Sequence, residues 1–196
     1  MSWVGFAIIG YLCGSIPFGL LLARWAGLGD VREVGSGNIG ATNVLRLGNK
    51  KIAAATLLLD GLKGYLPVLA AALAGAPHGM VAAGLGALLG HVFPIWLKFK
   101  GGKGVATGLG VIFGWSWILG LVFCAVWLTG FFLTRISSVG ALAAMLAAAI
   151  GAYVLQLPIG YWPFMVLAVV VWVMHRANIQ RMLKGEEPKS SFKKTT

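Results

Sequence analysis

Formal charges divide this 196-residue chain into long apolar blocks. Residues 3–23 are apolar, and Arg24 then opens a charged, glycine-rich stretch that runs to Lys51. No Asp, Glu, Lys or Arg lies between Lys63 and Lys98, between Gly104 and Thr134, or between Ile136 and Met174. The turn signal Gly75-Ala76-Pro77-His78-Gly79 splits the first of these blocks into spans near 53–74 and 79–97, and Gln156-Leu157-Pro158-Ile159-Gly160 splits the last. Each uncharged block therefore reads as a helical hairpin. The block 104–134 is the hard case: as one helix it would be about 46 Å long, against a hydrocarbon core of about 30 Å. Two short helices breaking near Gly114 keep every basic cluster on one side, as the positive-inside bias requires. The pattern predicts an all-α integral membrane protein with about seven transmembrane helices, the N-terminus outside and the C-terminus cytoplasmic. The loops near 75–79, 114–117 and 156–161 then carry no charge.

Composition agrees. The chain is 59% hydrophobic and 11% charged, with a mean hydropathy of +0.87, and a soluble domain needs about a quarter charged residues. The predicted organisation is one polytopic membrane domain over residues 1–185 and a polar, basic, solvated tail over 186–196. The net charge of +11 sits in short loops beside apolar spans, which is topology signalling and not nucleic-acid binding. Gly10/Gly14, Gly86/Gly90, Gly104/Gly108 and Gly110/Gly114 stand at the spacing of helix-packing seams. Cys13 and Cys124 fall inside apolar stretches and offer no disulfide or zinc framework.

Four polar segments carry the candidate chemistry, and the predicted topology gathers them on the cytoplasmic face. The first runs from Glu33 to Arg46. Its Gly35-Ser36-Gly37-Asn38-Ile39-Gly40 matches a dinucleotide fingerprint, but there is no strand before it and no βαβ unit, so the match is accidental. A glycine-rich turn does expose backbone N–H groups to an anion. Ser36, Asn38, Thr42 and Asn43 add neutral donors, and Arg46 adds a cation suited to phosphate. A well-capped loop without ligand is the other reading. The second segment, Gly101-Gly102-Lys103-Gly104, directly precedes a helix, whose first turn offers unpaired N–H groups to an anion. It is not a Walker A sequence. The third is Arg135-Ile136-Ser137-Ser138, and the fourth joins His175-Arg176-Ala177-Asn178 to Glu186 and Glu187. His91 is read as the maker of a structural hydrogen bond. His175 and Asn178 lie one helical turn apart. Asp60 and Lys63 are spaced to pair on one face of a span. No histidine arrangement points to a metal.

The segments S-G-N-x-G-A-T-N…R, F-K-G-G-K-G-V-A-T and H-R-x-N-I…G-x-E occur in that order over essentially the whole chain. Together they closely resemble the PlsY family, bacterial membrane glycerol-3-phosphate acyltransferases that use acyl phosphate. The resemblance implies transfer of a fatty acyl group from acyl phosphate to the 1-hydroxyl of sn-glycerol 3-phosphate. The products are lysophosphatidic acid and phosphate, in the first step of phospholipid synthesis in the bacterial inner membrane. It implies no metal or cofactor, and no need for acyl carrier protein or CoA. It marks Ser36, Arg46, Lys103, His175 and Asn178 as catalytic and Glu187 as a structural acid. Phosphate binding is expected from Ser36, Asn38, Thr42, Asn43, Arg46, Gly101, Gly102, Lys103, Gly104 and Ser138. A substrate phosphate is the expected proton acceptor; an acylated Ser36, or His175 as base, are the competing mechanisms. A small transporter for an organic phosphate is the alternative function, which the uncharged outer loops disfavour.

Overall fold

A computed structural model describes residues 2–190, and all its regular structure is helical. The helices are α1 (Trp3–Gly14), α2 (Phe18–Trp25), α3 (Ala41–Val44), α4 (Lys50–Leu73), α5 (Pro77–Val92), α6 (Val105–Trp115), α7 (Trp117–Thr134), α8 (Ser137–Val154), α9 (Trp162–Met174) and α10 (Arg176–Leu183). Five segments are long and apolar enough to cross a bilayer: Trp3–Trp25, Lys50–Leu73, Pro77–Leu97, Trp117–Thr134 and Ser137–Val154. The pair α9 and α10 forms a sixth segment bent by 61°. The apolar helix α6, with 11 residues, is shorter than any of these. The 104–134 block breaks at Ser116, whose extended backbone (φ −159°, ψ 111°) separates α6 from α7. That is two residues from the expected position. Large apolar side chains cover the outside: on α7 alone Ile118, Leu121, Leu128, Phe132 and Leu133 are exposed, as lipid-facing surface is and water-facing surface is not.

The chain forms two compact units, Met1–Trp117 and Ile118–Thr196. In the first, glycines bring helices into backbone contact. A Cβ on Gly10 or Gly14 would run into the backbone of Ala83 or Ala87, and one on Gly86 or Gly90 into Ala7 or Tyr11. Positions rise together along the two helices, so α1 and α5 run parallel. Gly64 and Gly110 make a second seam, where α4 meets Thr107 of α6 and α6 meets Gly61 of α4. Gly114 lies against Val68. The expected seams at Gly10/Gly14, Gly86/Gly90 and Gly110/Gly114 are thus present. Gly104 instead makes a left-handed turn (φ 84°) at the start of α6.

One break went unforeseen. Residues 3–23 read as a continuous apolar run, yet the helix stops at Gly14 and resumes at Phe18, with Pro17 between. The Ile16 carbonyl there accepts from the Phe18 N–H at 3.1 Å and from Lys63 Nζ at 2.7 Å, and Lys63 Nζ also lies 2.6 Å from Asp60 Oδ1. The expected Asp60–Lys63 pair is present, and it seals a broken span.

In the second unit α8 packs on α9, and Trp172 Nε1 donates to the Leu142 carbonyl. Phe123, Met145, Phe164 and Leu167 form its buried centre. Residues 186–196 were expected to be a solvated tail. Glu187 is instead buried, and the Ser190 N–H donates to the Arg135 carbonyl. Residues 191–196 lie outside the described part of the chain.

Candidate functional site

The first glycine-rich loop is built around Asn43. This side chain is 2% exposed, and its amide donates to the carbonyls of Val31 (2.8 Å) and Val34 (2.9 Å). Its Oδ1 accepts from the Ser36 backbone N–H (3.2 Å) and from Arg46 Nη1 (3.1 Å). Asn43 was expected to bind phosphate; its amide hydrogens are committed inward, and it holds Ser36 and Arg46 in register. Asn38 Oδ1 accepts from the Gly40 N–H at 2.8 Å, closing a local turn. Ser36, Thr42 and Arg46 are exposed. Gly35 has a left-handed backbone (φ 59°), and a Cβ there would press on Asn43 Oδ1 and the Arg46 side chain. Only glycine leaves room for that guanidinium. Beneath the loop, Val31, Ile39 and Val44 join Leu20, Ala23 and Ala53 in a hydrophobic cluster.

Leu97 packs against the same cluster, so the second glycine-rich segment shares the first loop's foundation. The chain enters that segment through Lys98 and Phe99, both with positive φ (51° and 60°). Consecutive non-glycine residues in this region are strained, a feature that concentrates at functional sites. The amides of Gly101 and Gly102 were expected to face an anion. They donate instead to the carbonyls of Val92 and His91, each at 3.0 Å. The anion-binding capacity of this segment therefore begins after them, at the first turn of α6, where Gly104 supplies no side-chain cap. Lys103 precedes that turn.

His91 was read as a hydrogen-bonded structural residue. It is buried, but its Nδ1 has no hydrogen-bond partner.

In the second unit Ser138, Asn178 and Glu187 form a closed triangle. Ser138 Oγ donates to Glu187 Oε1 at 2.7 Å and accepts from Asn178 Nδ2 at 2.9 Å. Asn178 Nδ2 also donates to Glu187 Oε1, and Arg181 Nε pairs with Glu187 Oε2 at 2.7 Å. Burial opposes ionisation of Glu187, but the bonds from Ser138, Asn178 and Arg181 outweigh it and hold the carboxyl below its ordinary range. The hydroxyl proton of Ser138, expected at a phosphate, is committed to this carboxylate. His175 is buried where α9 bends into α10, and its Nδ1 lies 2.8 Å from the Val171 carbonyl. A carbonyl only accepts, so Nδ1 carries the proton and Nε2 is the basic nitrogen of the neutral ring. Among the described residues no group of His, Cys, Asp and Glu could hold a metal ion.

Comparison with known proteins identifies the family of the chain. Residues 4–185 match the family model described as glycerol-3-phosphate acyltransferase. The glycerol-3-phosphate acyltransferase of Mesorhizobium japonicum is 58% identical over 188 residues, 95% of each chain. That of Erythrobacter litoralis is 56% identical over 183 residues, 93% of this chain and 92% of its own. A crystal structure of PlsY, an integral membrane glycerol 3-phosphate acyltransferase, in its glycerol 3-phosphate form superposes with a TM-score of 0.93. It is 38% identical and covers 97% of this chain and 96% of its own. Its lysophosphatidic acid form gives a TM-score of 0.90 at 36% identity. This chain belongs to the integral membrane glycerol-3-phosphate acyltransferases of the PlsY type.

Proposed function

We propose that the chain transfers a fatty acyl group from acyl phosphate to the 1-hydroxyl of sn-glycerol 3-phosphate, without acyl carrier protein or CoA. The 1-hydroxyl oxygen attacks the acyl carbonyl carbon, the bond from that carbon to the phosphate oxygen breaks, and lysophosphatidic acid and inorganic phosphate leave. Ser36 and Arg46 on the first loop, with Lys103 and the first-turn amides of α6, hold the phosphates and the developing oxyanion. Gly101 and Gly102 shape the second loop, and Gly104 turns it into the helix. Asn38 and Asn43 shape the first loop, and Thr42 offers its exposed hydroxyl. His175, held by the Val171 carbonyl, and Asn178, held by Ser138 and Glu187, form a further catalytic group. The hydroxyl proton passes to a substrate phosphate, whose second pKa of about 6 suits it for that part. Acyl phosphate already carries a good leaving group, so positioning and charge stabilisation supply much of the rate. Seven crossings, with α6 and the bent α9–α10 pair included and the N-terminus outside, set these groups at the cytoplasmic face of the bacterial inner membrane.

The observation that carries this reading is the uncapped start of α6 directly behind Gly101-Gly102-Lys103-Gly104, in a chain matched to its family from residue 4 to 185. The test is phosphate release by the purified protein given palmitoyl phosphate and glycerol 3-phosphate. Release that needs both substrates and equals lysophosphatidic acid formed is the expected result. Release without glycerol 3-phosphate, or a requirement for acyl-CoA, would overturn it. Arg46→Ala and Lys103→Ala should each lower kcat/KM on the order of 10²-fold, the typical effect of losing one donor to developing charge. An acyl-Ser36 adduct trapped by mass spectrometry would exclude direct transfer.

A further inference from the structure

A second polar cluster lies inside the first unit and has no part in the chemistry above. Asp60, Lys63 and His91 are each buried. Lys63 is engaged by Asp60 and the Ile16 carbonyl. His91 Nδ1 faces the same Asp60 oxygen at 3.9 Å, too far for a hydrogen bond, and finds no other partner. Hydrogen bonding through Nδ1 therefore does not account for a histidine here. The other edge of the ring meets the glycine-rich loop. Gly102, whose N–H donates to the His91 carbonyl, lies on that edge. A Cβ on Gly102 would overlap the ring, and the three nearest atoms to it, Nε2, Cε1 and Cδ2, all belong to His91. The backbone at Gly102 is not left-handed, so conformation does not demand glycine there. The His91 ring does.

We propose that His91 is a positioning residue for the glycine-rich loop. Its ring, with the Asp60–Lys63 pair of α4 facing its Nδ1 edge, is the floor on which Gly102 rests, and it sets where Lys103 and the start of α6 meet a substrate phosphate. The proposal rests on the assignment of that loop to a phosphate. It extends the site to a residue that never touches substrate.

The test compares His91→Ala, Gly102→Ala and the double variant in one detergent, by glycerol 3-phosphate titration and by melting temperature. Gly102→Ala should lose on the order of 10²-fold in kcat/KM, since displacements of about 1 Å in a positioned group have effects of that size. His91→Ala should raise the KM for glycerol 3-phosphate roughly tenfold, with a smaller change in kcat, as a misplaced binding loop requires. In the double variant the new methyl enters the space the ring vacates, so it should exceed Gly102→Ala in both kcat/KM and melting temperature. His91→Ala with an unchanged KM and only a lowered melting temperature would make His91 a packing residue and overturn the proposal. A double variant no better than Gly102→Ala would do the same. If Gly102→Ala does not fold, the KM of His91→Ala decides. The melting comparison does not depend on turnover, so a wild type without acyltransferase activity would defeat the proposed function while ring-to-loop coupling was still measured.

Discussion

Asn43 commits both amide hydrogens to the Val31 and Val34 carbonyls and its oxygen to Ser36 and Arg46. Asn43→Asp keeps the shape but turns a carboxylate oxygen toward two carbonyls. Leaving these groups unpaired should cost about 1–3 kcal/mol each. The variant should melt lower and lose affinity for glycerol 3-phosphate through Arg46, and both are measurable on the same sample. Glu187 makes a prediction in pH. Its folded pKa lies below the ordinary value, so its stabilising contribution is complete above the ordinary glutamate range and is lost as pH falls through the lower folded value. Melting temperature plotted against pH should therefore fall on the acid side for the wild type, and less steeply for Glu187→Gln. The exposed Ser36 and Arg46 beside a glycine-rich turn were legible as candidates from residue type and neighbourhood, and the structural part of Glu187 came with the family resemblance. The inward engagement of Asn43 and Ser138 was not, because a polar side chain declares what it can bond and not which partner the fold brings. The Gly102–His91 contact was hidden for the same reason: it joins residues 11 apart in sequence across a reversal of the chain.

Charge-free blocks and turn signals located most helices, including the division of 104–134, because each follows from local chemistry and the thickness of a bilayer. The interruption at Ser15–Pro17 was legible only in part. Pro17 announces a break, but the partner that makes the break tolerable is a lysine on another helix. Lys63→Met strands the Asp60 carboxylate and takes one of two donors from the Ile16 carbonyl, which keeps the Phe18 N–H; breaking a buried pair this way typically costs about 3–5 kcal/mol. The double variant Asp60→Asn/Lys63→Met removes both charges and should melt above Lys63→Met, although the Ile16 carbonyl still lacks its lysine donor. Equal melting temperatures would mean that the carbonyl bond, not the ion pair, dominates.

Exposed aromatic residues mark the ends of many spans: Trp3, Trp25, Trp96, Trp117, Tyr161 and Trp162. Such rings prefer the boundary between lipid and water. If the uncharged turns lie outside, as proposed, single cysteines at His78 or Leu157, in a background with Cys13 and Cys124 replaced by alanine, should react with an impermeant maleimide on intact spheroplasts. Cysteines at Lys100 or Lys184 should react only after lysis, and the reverse pattern would invert the proposed orientation. The whole-chain architecture was readable because lipid imposes few solutions. The seating of Glu187 and Ser190 was not, since a short polar tail looks the same in sequence whether it is docked or free. The bond from Lys63 to Ile16 also fixes an order in time. During synthesis the first apolar segment enters the membrane with the Ile16 carbonyl held only by the Phe18 N–H, and its second donor arrives 47 residues later. A nascent chain stopped before Lys63 has the break at Pro17 without the tie to another helix that the finished protein supplies.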